Sequence, residues 1–352
     1  MTVYWLMLLV PMLAGISPWI AKGALPKLQW FLYGALLILI IGLRHEVGGD
    51  WESYIENFTE LRGISFSQAF QVHRVVDDLG FGLVYWFSLN YLNGIYATNL
   101  FCAVIFVAGL LRVCKNMPLP WLALAVAIPY LVIVVAAGYT RQAAAIGFIM
   151  WGLIDLMNGK QVKFYIMVIF GVLFHKTALF MLPIGFLYAN SMRNFKNLIL
   201  FTLFFGLAFA AFLAEHIARL AFYYIQDTQM QSSGALIRVA MNVASSIVFL
   251  YFRKRWSELY SDSGLWMIFS VTSLIMLPLV LVSSTFVDRM ALYLLPMQIV
   301  ILSRVPILIT STYNRTLIIL CFLFLYSGVL FVWLNFGQFS SHWLPYQNLL
   351  FK

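Results

Sequence analysis

Four basic side chains lie at the beginning of apolar stretches of membrane-spanning length: Arg141, Lys176, Arg238 and Arg289. The partial positive charge of a helix N-terminus opposes such a cation by roughly 0.3–1 kcal/mol. An arginine drawn toward the middle of a bilayer costs roughly 2.5–3.5 kcal/mol more. An anionic partner offsets both costs, because backbone N–H groups and a guanidinium together suit a phosphate. Each side chain alone could instead reach the membrane interface, with Asp288 neutralising Arg289, but the four together predict a phosphate-binding site.

A second group of ionisable side chains follows the second apolar stretch, where Arg44, Glu46 and Asp50 fall within seven residues. A carboxylate at the membrane edge can accept a proton from a sugar hydroxyl, and a nearby guanidinium would hold it ionised. Asp50, or alternatively Glu46, is therefore a candidate general base with Arg44 as its partner. The structural alternative for Asp50 is a helix N-cap after the tight turn that Gly48-Gly49 permits.

His175 and Lys176 form a short polar break inside an otherwise apolar stretch. A histidine there can hydrogen-bond a phosphate or act as a general acid or base. The plainer alternative is a histidine bonded to backbone or water inside a helix bundle. The sequence contains no D-x-D motif, no H-E-x-x-H motif and no P-loop, so we expect no metal, no nucleotide and no cofactor.

The composition predicts the elements that must position these residues. Apolar residues make up 63% of the 352 residues and charged residues 10%, whereas a soluble domain has about 45–50% and about 25%. A soluble enzyme, a disordered protein and a disulfide-linked secreted domain are therefore excluded. The predicted spans are 2–20, 28–43, 95–111, 118–137, 141–157, 163–174, 178–190, 197–214, 236–252, 264–283, 289–303 and 316–335. The stretch 81–94 is also apolar and lies either on the membrane or in a long third span.

The basic residues set the orientation, because cytoplasmic loops carry an excess of Lys and Arg. On a twelve-span arrangement one side receives 13 cations and three acids, and the other side nine cations and ten acids. The first side is assigned to the cytoplasm. Both termini and the polar loops 44–80 and 215–235 then face outward, and residues 1–352 form a single membrane domain. The net charge of +9 follows from this topology, and we expect no nucleic-acid partner.

In the twelve-span arrangement, residues 163–190 form two spans that are too short for ordinary membrane-spanning helices. The two halves, on either side of His175, have about 12 residues each and reach about 18 Å at about 1.5 Å per residue, short of a core of about 30 Å. A single 28-residue span would instead place the basic run 253–255 outside, against the charge rule. We therefore predict two half-spans that meet at a cavity recessed from the outer face, where water tolerates charge at depth.

A series of short motifs runs in order along nearly the whole chain. They are Gly42-Leu43-Arg44 with Val47-Gly48, Asp50 and Tyr54; Arg141-Gln142 with Ala145; Phe174-His175-Lys176-Thr177-Ala178-Leu179 with Leu182-Pro183; Ser233-Gly234 with Arg238; Asp288-Arg289 with Tyr293; and Trp343-Leu344-Pro345-Tyr346. The ordered set resembles the EpsG-type family of bacterial polysaccharide polymerases, which are similar to Wzy O-antigen polymerases.

The resemblance implies an all-α polytopic fold of about 10–12 transmembrane helices, GT-C-like, with some helices short or broken around a cavity open to the periplasm. It also implies a glycosyltransferase of the bacterial inner membrane that needs no metal. Such an enzyme transfers a growing glycan from undecaprenyl pyrophosphate onto another lipid-linked repeat unit, in the synthesis of O-antigen or a related surface polysaccharide. Its implied partners are these lipid-linked oligosaccharides, membrane lipids and a chain-length regulator.

On this basis each candidate residue receives an expected role. Arg141, Arg238 and Arg289 hold the donor pyrophosphate with His175 and Gln142; Asp50 or Glu46, with Arg44, activates the acceptor hydroxyl; Asp288 orients Arg289; and Tyr293 and Tyr54 contact the sugars. Two other classes stay open. A flippase or transporter also has broken helices, although no inverted repeat is evident, and a membrane acyltransferase would use His175 as its catalytic residue.

Overall fold

The computed structural model describes residues 1–16, 25–188 except 73, 74 and 76, and 234–351 except 282. Within these ranges the regular structure is helical. The helices are α1 (Thr2–Ile16), α2 (Leu25–Gly42), α3 (Trp51–Phe58), α4 (Phe66–Ala69), α5 (Leu79–Tyr91), α6 (Gly94–Lys115), α7 (Pro120–Ala127), α8 (Thr140–Met157), α9 (Gln161–Phe174), α10 (Met181–Tyr188), α11 (Ala235–Leu259), α12 (Ser263–Leu279), α13 (Ser284–Ala291), α14 (Pro296–Arg304) and α15 (Thr312–Phe336).

Three described helices, α6, α11 and α15, are each long and apolar enough to cross a membrane. The bent pair formed by α13 and α14 is a fourth candidate if it counts as one span, and six shorter apolar helices accompany them. The protein is therefore an all-α polytopic membrane protein, as predicted. The predicted span 197–214 and nearly all of the predicted loop 215–235 lie outside the described residues.

The observed bounds follow several predicted spans closely. The helices α6, α8 and α9 begin within two residues of their predicted starts. The apolar stretch 81–94 is expected either on the membrane or in a long third span. Most of it forms a separate helix, α5, which ends before α6 begins. It is therefore not the first part of a long third span.

The predicted break at His175 is confirmed. His175 has an extended backbone, with φ of −156° and ψ of 114°, between α9 and a 3-10 helix (Lys176–Phe180) that leads into α10. This conformation excludes one continuous helix through residues 163–190. The depth of the break in a membrane stays a prediction.

The predicted span 289–303 is wrong in its start and in its shape. The helix α13 begins at Ser284, and the axis bends by 44° before α14 begins at Pro296. Proline has no backbone N–H and cannot continue the hydrogen-bond ladder of the preceding turn. Arg289 consequently lies in the last turn of α13, where the helix dipole favours a cation, and not at a helix start.

A π-helical segment, Ile128–Ala136, continues α7 toward the start of α8. It contains Pro129, and both a proline and the wider π turn interrupt regular α-helical bonding. The fully buried Trp343 donates its indole N–H to the carbonyl of Ile133 in this segment at 2.8 Å. The C-terminal segment is thereby anchored beside the turn that precedes α8.

The turn between α2 and α3 is held by the same C-terminal segment. Gly48 N–H donates to the His342 carbonyl at 2.8 Å, and His45 N–H donates to the Gln347 carbonyl at 3.0 Å. Gly48 has a φ of +106°, and a Cβ there would lie 2.2 Å from the Ala137 carbonyl oxygen. Glycine is therefore required for this tight turn.

Candidate active site

A polar cavity of about 380 Å³ lies where α8 begins, α13 ends, α9 breaks and the chain turns into α3 and α5. Its described lining residues are Asp50, Asp77, Asp78, Tyr139, Arg141, Gln142, His175, Lys176, Arg238, Thr285, Asp288, Arg289 and Leu292. Four of these are carboxylates and four are Lys or Arg, so their formal charges balance. The cavity thus combines ionisable groups from six separate parts of the chain.

Most of the candidate residues meet in this cavity. Those that line it are Asp50, Arg141, Gln142, His175, Arg238, Asp288 and Arg289. The candidates absent from this described lining are Arg44, Glu46, Tyr54 and Tyr293.

Arg141, in the first turn of α8, is paired with the buried carboxylate Asp78. Its Nη1 lies 2.9 Å from Asp78 Oδ2, and its guanidinium carbon lies 5.5 Å from the centre of the Tyr54 ring. Asp78 Oδ1 accepts a hydrogen bond from the Lys176 backbone N–H at 3.1 Å. Burial raises the pKa of the Asp78 carboxyl above its ordinary value, and the charge of Arg141 opposes that rise. Asp78 therefore joins the start of α8 to the break after α9.

His175 is connected to a chain of hydroxyl groups behind the cavity wall. Its Nδ1 lies 3.2 Å from Thr177 Oγ1, which lies 3.0 Å from the Tyr293 hydroxyl. No residue in the described ranges hydrogen-bonds His175 Nε2, so this nitrogen can serve a ligand in the cavity. Tyr293 is fully buried, which corrects the expectation that it contacts a sugar.

Arg238 and Asp288 form a buried ion pair between α11 and α13. Arg238 also donates hydrogen bonds to the hydroxyls of Tyr130 and, at 3.4 Å, Tyr139. The Asp288 carboxylate thus reaches across to α11, and its expected role in orienting Arg289 stays a prediction. Tyr130 belongs to the π-helical segment, which explains how that irregular turn contributes to the site.

Arg289 differs from the other cavity cations in having no salt bridge to any residue of the described ranges. Its side chain is exposed in the cavity. Its backbone carbonyl accepts a hydrogen bond from Gln142 Nε2 at 2.8 Å, which fixes the end of α13 against the start of α8. Lys176 by contrast lies 3.6 Å from Asp77. Arg289 is thus held in position without a salt-bridge partner among the described residues, and its charge acts on the Asp50 carboxyl at longer range.

Asp50 occupies the N-cap position of α3, yet its side chain makes no capping hydrogen bond. The Tyr54 hydroxyl donates to Asp50 Oδ2 at 2.8 Å instead. Burial raises the pKa of the Asp50 carboxyl above its ordinary value, and the Tyr54 hydrogen bond and the charge of Arg141 oppose the rise. The capping alternative therefore does not account for this side chain. Tyr54 is itself buried and supports Asp50 instead of contacting a sugar.

Two candidates for the catalytic group lie outside the cavity lining. Arg44 is buried and donates to the Ile41 carbonyl and the Thr140 hydroxyl, each at 2.6 Å, and to Asn99 Oδ1 at 3.3 Å. It ties the end of α2 to α6 and α8, which is a structural position. The Glu46 side chain is 61% exposed and lies 3.4 Å from His45.

Asp78, Tyr139 and Thr285 line the cavity although sequence analysis did not assign them to the site. Asp78 and the Lys176 backbone that it contacts are 98 positions apart. The adjacent acids Asp77 and Asp78 lie in a polar loop, and no local sequence pattern predicts that this loop contacts the helix break at His175. No group of three or more His, Cys, Asp or Glu residues arranged to hold a metal occurs in the described part of the chain.

The sequence profile of the EpsG family matches residues 27–348, a range that contains every residue of the cavity lining. The chain belongs to the EpsG family. Membership in the EpsG family indicates a membrane-bound polysaccharide polymerase of glycosyltransferase type that acts on lipid-linked glycans. Neither the curated proteins nor the solved structures include a match to the chain.

Proposed function

We propose that this EpsG-family protein is an inner-membrane polymerase that transfers glycan from undecaprenyl pyrophosphate onto a lipid-linked repeat unit at the periplasmic face. Its product would be O-antigen or a related lipopolysaccharide or exopolysaccharide, and a chain-length regulator is a further proposed partner. One observation carries the proposal. A single polar cavity combines Arg289, which has no salt bridge among the described residues, with the paired Arg141 and Arg238 and the carboxylate Asp50.

The cations suit the leaving group of such a transfer. Charge develops on the pyrophosphate as the glycosidic bond breaks, and preorganised donors stabilise it most in a site shielded from bulk water. Arg289 supplies a guanidinium that forms no salt bridge with a described carboxylate, and Arg141 and Arg238 are held nearby in fixed orientations by Asp78 and Asp288. His175 Nε2 adds one hydrogen bond to a phosphate oxygen.

Asp50 suits the acceptor side of the reaction. The acceptor hydroxyl oxygen bonds to the anomeric carbon of the donor glycan, and its proton passes to the Asp50 carboxylate. The bond between that carbon and the pyrophosphate oxygen breaks, and undecaprenyl pyrophosphate leaves with the bonding electrons. A raised pKa of Asp50 favours this role, because a carboxylate is a stronger base when its pKa is nearer to the operating pH.

A complementation experiment tests the proposal. A strain that lacks this gene receives the wild-type protein, Arg289→Ala or the control Lys254→Ala, an exposed cation on α11. A charged hydrogen bond to phosphate contributes about 1.5–3 kcal/mol, so we expect Arg289→Ala to lower polymer output about 10–100-fold and to leave single repeat units. Lys254→Ala should give wild-type chain lengths.

Two results would contradict the proposal. Wild-type chain lengths with Arg289→Ala, at equal protein levels, would exclude Arg289 as the pyrophosphate anchor. A deletion strain that exports no repeat unit at all would indicate a flippase instead of a polymerase, because a missing polymerase leaves exported single units on their lipid carrier.

A further inference from the structure

We propose that an apolar groove between α5 and α6 binds the isoprenoid chain of the lipid-linked substrate. This inference rests on the proposed function, since only a lipid-linked substrate brings such a chain to the cavity. The groove has a volume of about 610 Å³, which lies within the range of small-molecule sites. None of its described lining residues is charged, and Ser88 is the single hydroxyl-bearing one among them.

The shape of the groove separates it from ordinary lipid-facing surface. Helices usually present convex apolar surfaces to lipid, whereas here Phe87 of α5 and Phe101 and Val104 of α6 line a hollow. Phe66 adds a further ring from α4, in the polar segment that we assign to the outer face. The hollow therefore combines helix surface with part of the outer loop.

Two features place the groove next to the segments that line the cavity. The helix α5 begins at Leu79, immediately after the cavity residue Asp78, and contributes to the groove from Leu83 onward. The Phe101 ring stacks on Phe174 with centroids 6.4 Å apart and an interplanar angle of 16°. Phe174 directly precedes the cavity residue His175. A ligand with its head group in the cavity thus has an apolar groove on the neighbouring helices for its chain.

An isoprenoid chain fits this arrangement by its chemistry. Its methyl branches and double bonds pack against aromatic rings, and it carries no group that requires a hydrogen-bond partner. A chain in the bilayer is already in an apolar medium, so the groove recognises it by packing and not by the hydrophobic effect. Binding of the chain in the groove is expected to orient the pyrophosphate head in the cavity. The groove should therefore increase the turnover of long-chain donors only.

Filling the groove tests the assignment. The full chain, reconstituted in liposomes, is assayed with the same glycan linked through pyrophosphate to undecaprenyl or to a farnesyl chain. Ala97→Trp places a large ring in the groove. We expect kcat/KM to fall roughly tenfold or more for the undecaprenyl donor and to change less than about twofold for the farnesyl donor.

Leu9→Trp is the matched control. Leu9 lines a second apolar hollow, between α1 and α15, two helices that contribute no described residue to the cavity. We expect this variant to behave as wild type with both donors. If both tryptophan variants lowered long-chain turnover equally, the effect would belong to the bilayer-facing surface in general and the groove assignment would be overturned.

A crosslinking measurement on the wild-type protein tests the same assignment without a variant, so misfolding of Ala97→Trp cannot affect it. Undecaprenyl pyrophosphate with a photoreactive group beyond the three isoprene units that a farnesyl chain also has should crosslink to α5 and α6 residues such as Phe87 and Phe101. Crosslinks confined to other helices, or equal losses of Ala97→Trp with both donors, would overturn the groove assignment. A wild-type protein that transfers from neither donor would instead contradict the proposed function.

Discussion

The arginines of the cavity are chemically distinct at the level of single residues. Arg141 and Arg238 each share a carboxylate, whereas Arg289 has no salt bridge among the described residues. A paired guanidinium is held in place but is partly neutralised, and an unpaired one attracts an anion with its whole charge. We therefore expect Arg289 to control binding of the pyrophosphate and the paired arginines to control its orientation.

The hydrogen bond from Tyr54 to Asp50 leads to a prediction about pH. A general base acts only when ionised, so the transfer rate should rise with pH through the pKa of Asp50. Burial raises this pKa, and the Tyr54 hydrogen bond lowers it. Tyr54→Phe removes the opposing effect and should move the acidic limb of the rate profile to higher pH. Loss of a hydrogen bond that contributes about 0.5–1.5 kcal/mol should shift the acidic limb by about 0.4–1 pH unit.

The control for this prediction is Tyr85→Phe. The Tyr85 hydroxyl donates to the backbone carbonyl of Tyr54 at 3.2 Å, so its loss removes a phenol from the same cluster without touching the carboxylate. The pH profile of this variant should coincide with that of the wild type. A Tyr54→Phe profile that stays in place or moves to lower pH would contradict the role of Asp50 as base.

At the level of elements, the cavity depends on interruptions in helices. The break at His175 and the turn that ends at Asp78 each place polar groups in the cavity, and the π-helical segment 128–136 places the Tyr130 hydroxyl against Arg238. A regular helix buries its own backbone groups and leaves none to position a ligand. The irregular segments therefore supply one part of the site, and the ends of the regular helices α8, α11 and α13 supply Arg141, Arg238 and Arg289.

Asp78 joins two of these interruptions, which makes its carboxylate a positioning group. Asp78→Asn keeps the shape and the acceptor for the Lys176 N–H but loses the ion pair with Arg141. The loss of a charged hydrogen bond of about 1.5–3 kcal/mol should lower kcat/KM about 10–100-fold. The effect should appear mainly in kcat, measured with purified protein, because Arg141 then no longer orients the bound pyrophosphate.

The neighbouring carboxylate Asp77 provides the comparison. Asp77 lies 3.6 Å from Lys176 with about a third of its side chain exposed, and exposed ion pairs contribute about 0–1 kcal/mol. Asp77→Asn should therefore lower kcat/KM less than about fivefold. Equal effects of the two substitutions, or a fall in protein level with Asp78→Asn alone, would argue against a positioning role.

Most elements could be predicted from the sequence because length and apolarity define a span. The break at His175 was predictable as well, since each flanking half is too short for a bilayer. The bend of α13 was not, because the polar start of that helix at Ser284 gives no apolar signal. The contact of Trp343 with Ile133 is also invisible in the sequence, as a distance of 210 positions leaves no local pattern.

On the scale of the whole molecule, ion pairs at other helix ends complete the framework. Arg304 pairs with Asp262 at 2.6 Å and Arg112 with Asp155 at 2.9 Å. These four residues belong to the side that the charge distribution assigns to the cytoplasm, opposite the cavity. Removing one partner of a buried pair is costly, so these pairs fasten α8, whose first turn carries Arg141, to α6, and fasten α14 to the start of α12.

The candidate site was predictable in its residue types but not in its pairing. Charges in apolar surroundings are expensive, which is why Arg141, Arg238 and Arg289 stand out in the sequence. Which carboxylate accompanies each arginine depends on three-dimensional packing, so the pairing of Asp288 with Arg238 was missed. Arg44 stood out for the same reason as the others, yet its partners are largely backbone and small polar groups.

The most direct test of the account is the transfer rate of Asp50→Asn with purified protein and defined lipid-linked repeat units. We predict a fall of about 10²–10⁴-fold in kcat, typical of a lost general base, with donor binding retained. Glu52→Gln, an exposed acid on α3, should transfer at the wild-type rate. A wild-type rate for Asp50→Asn, or a loss confined to donor binding, would contradict the account.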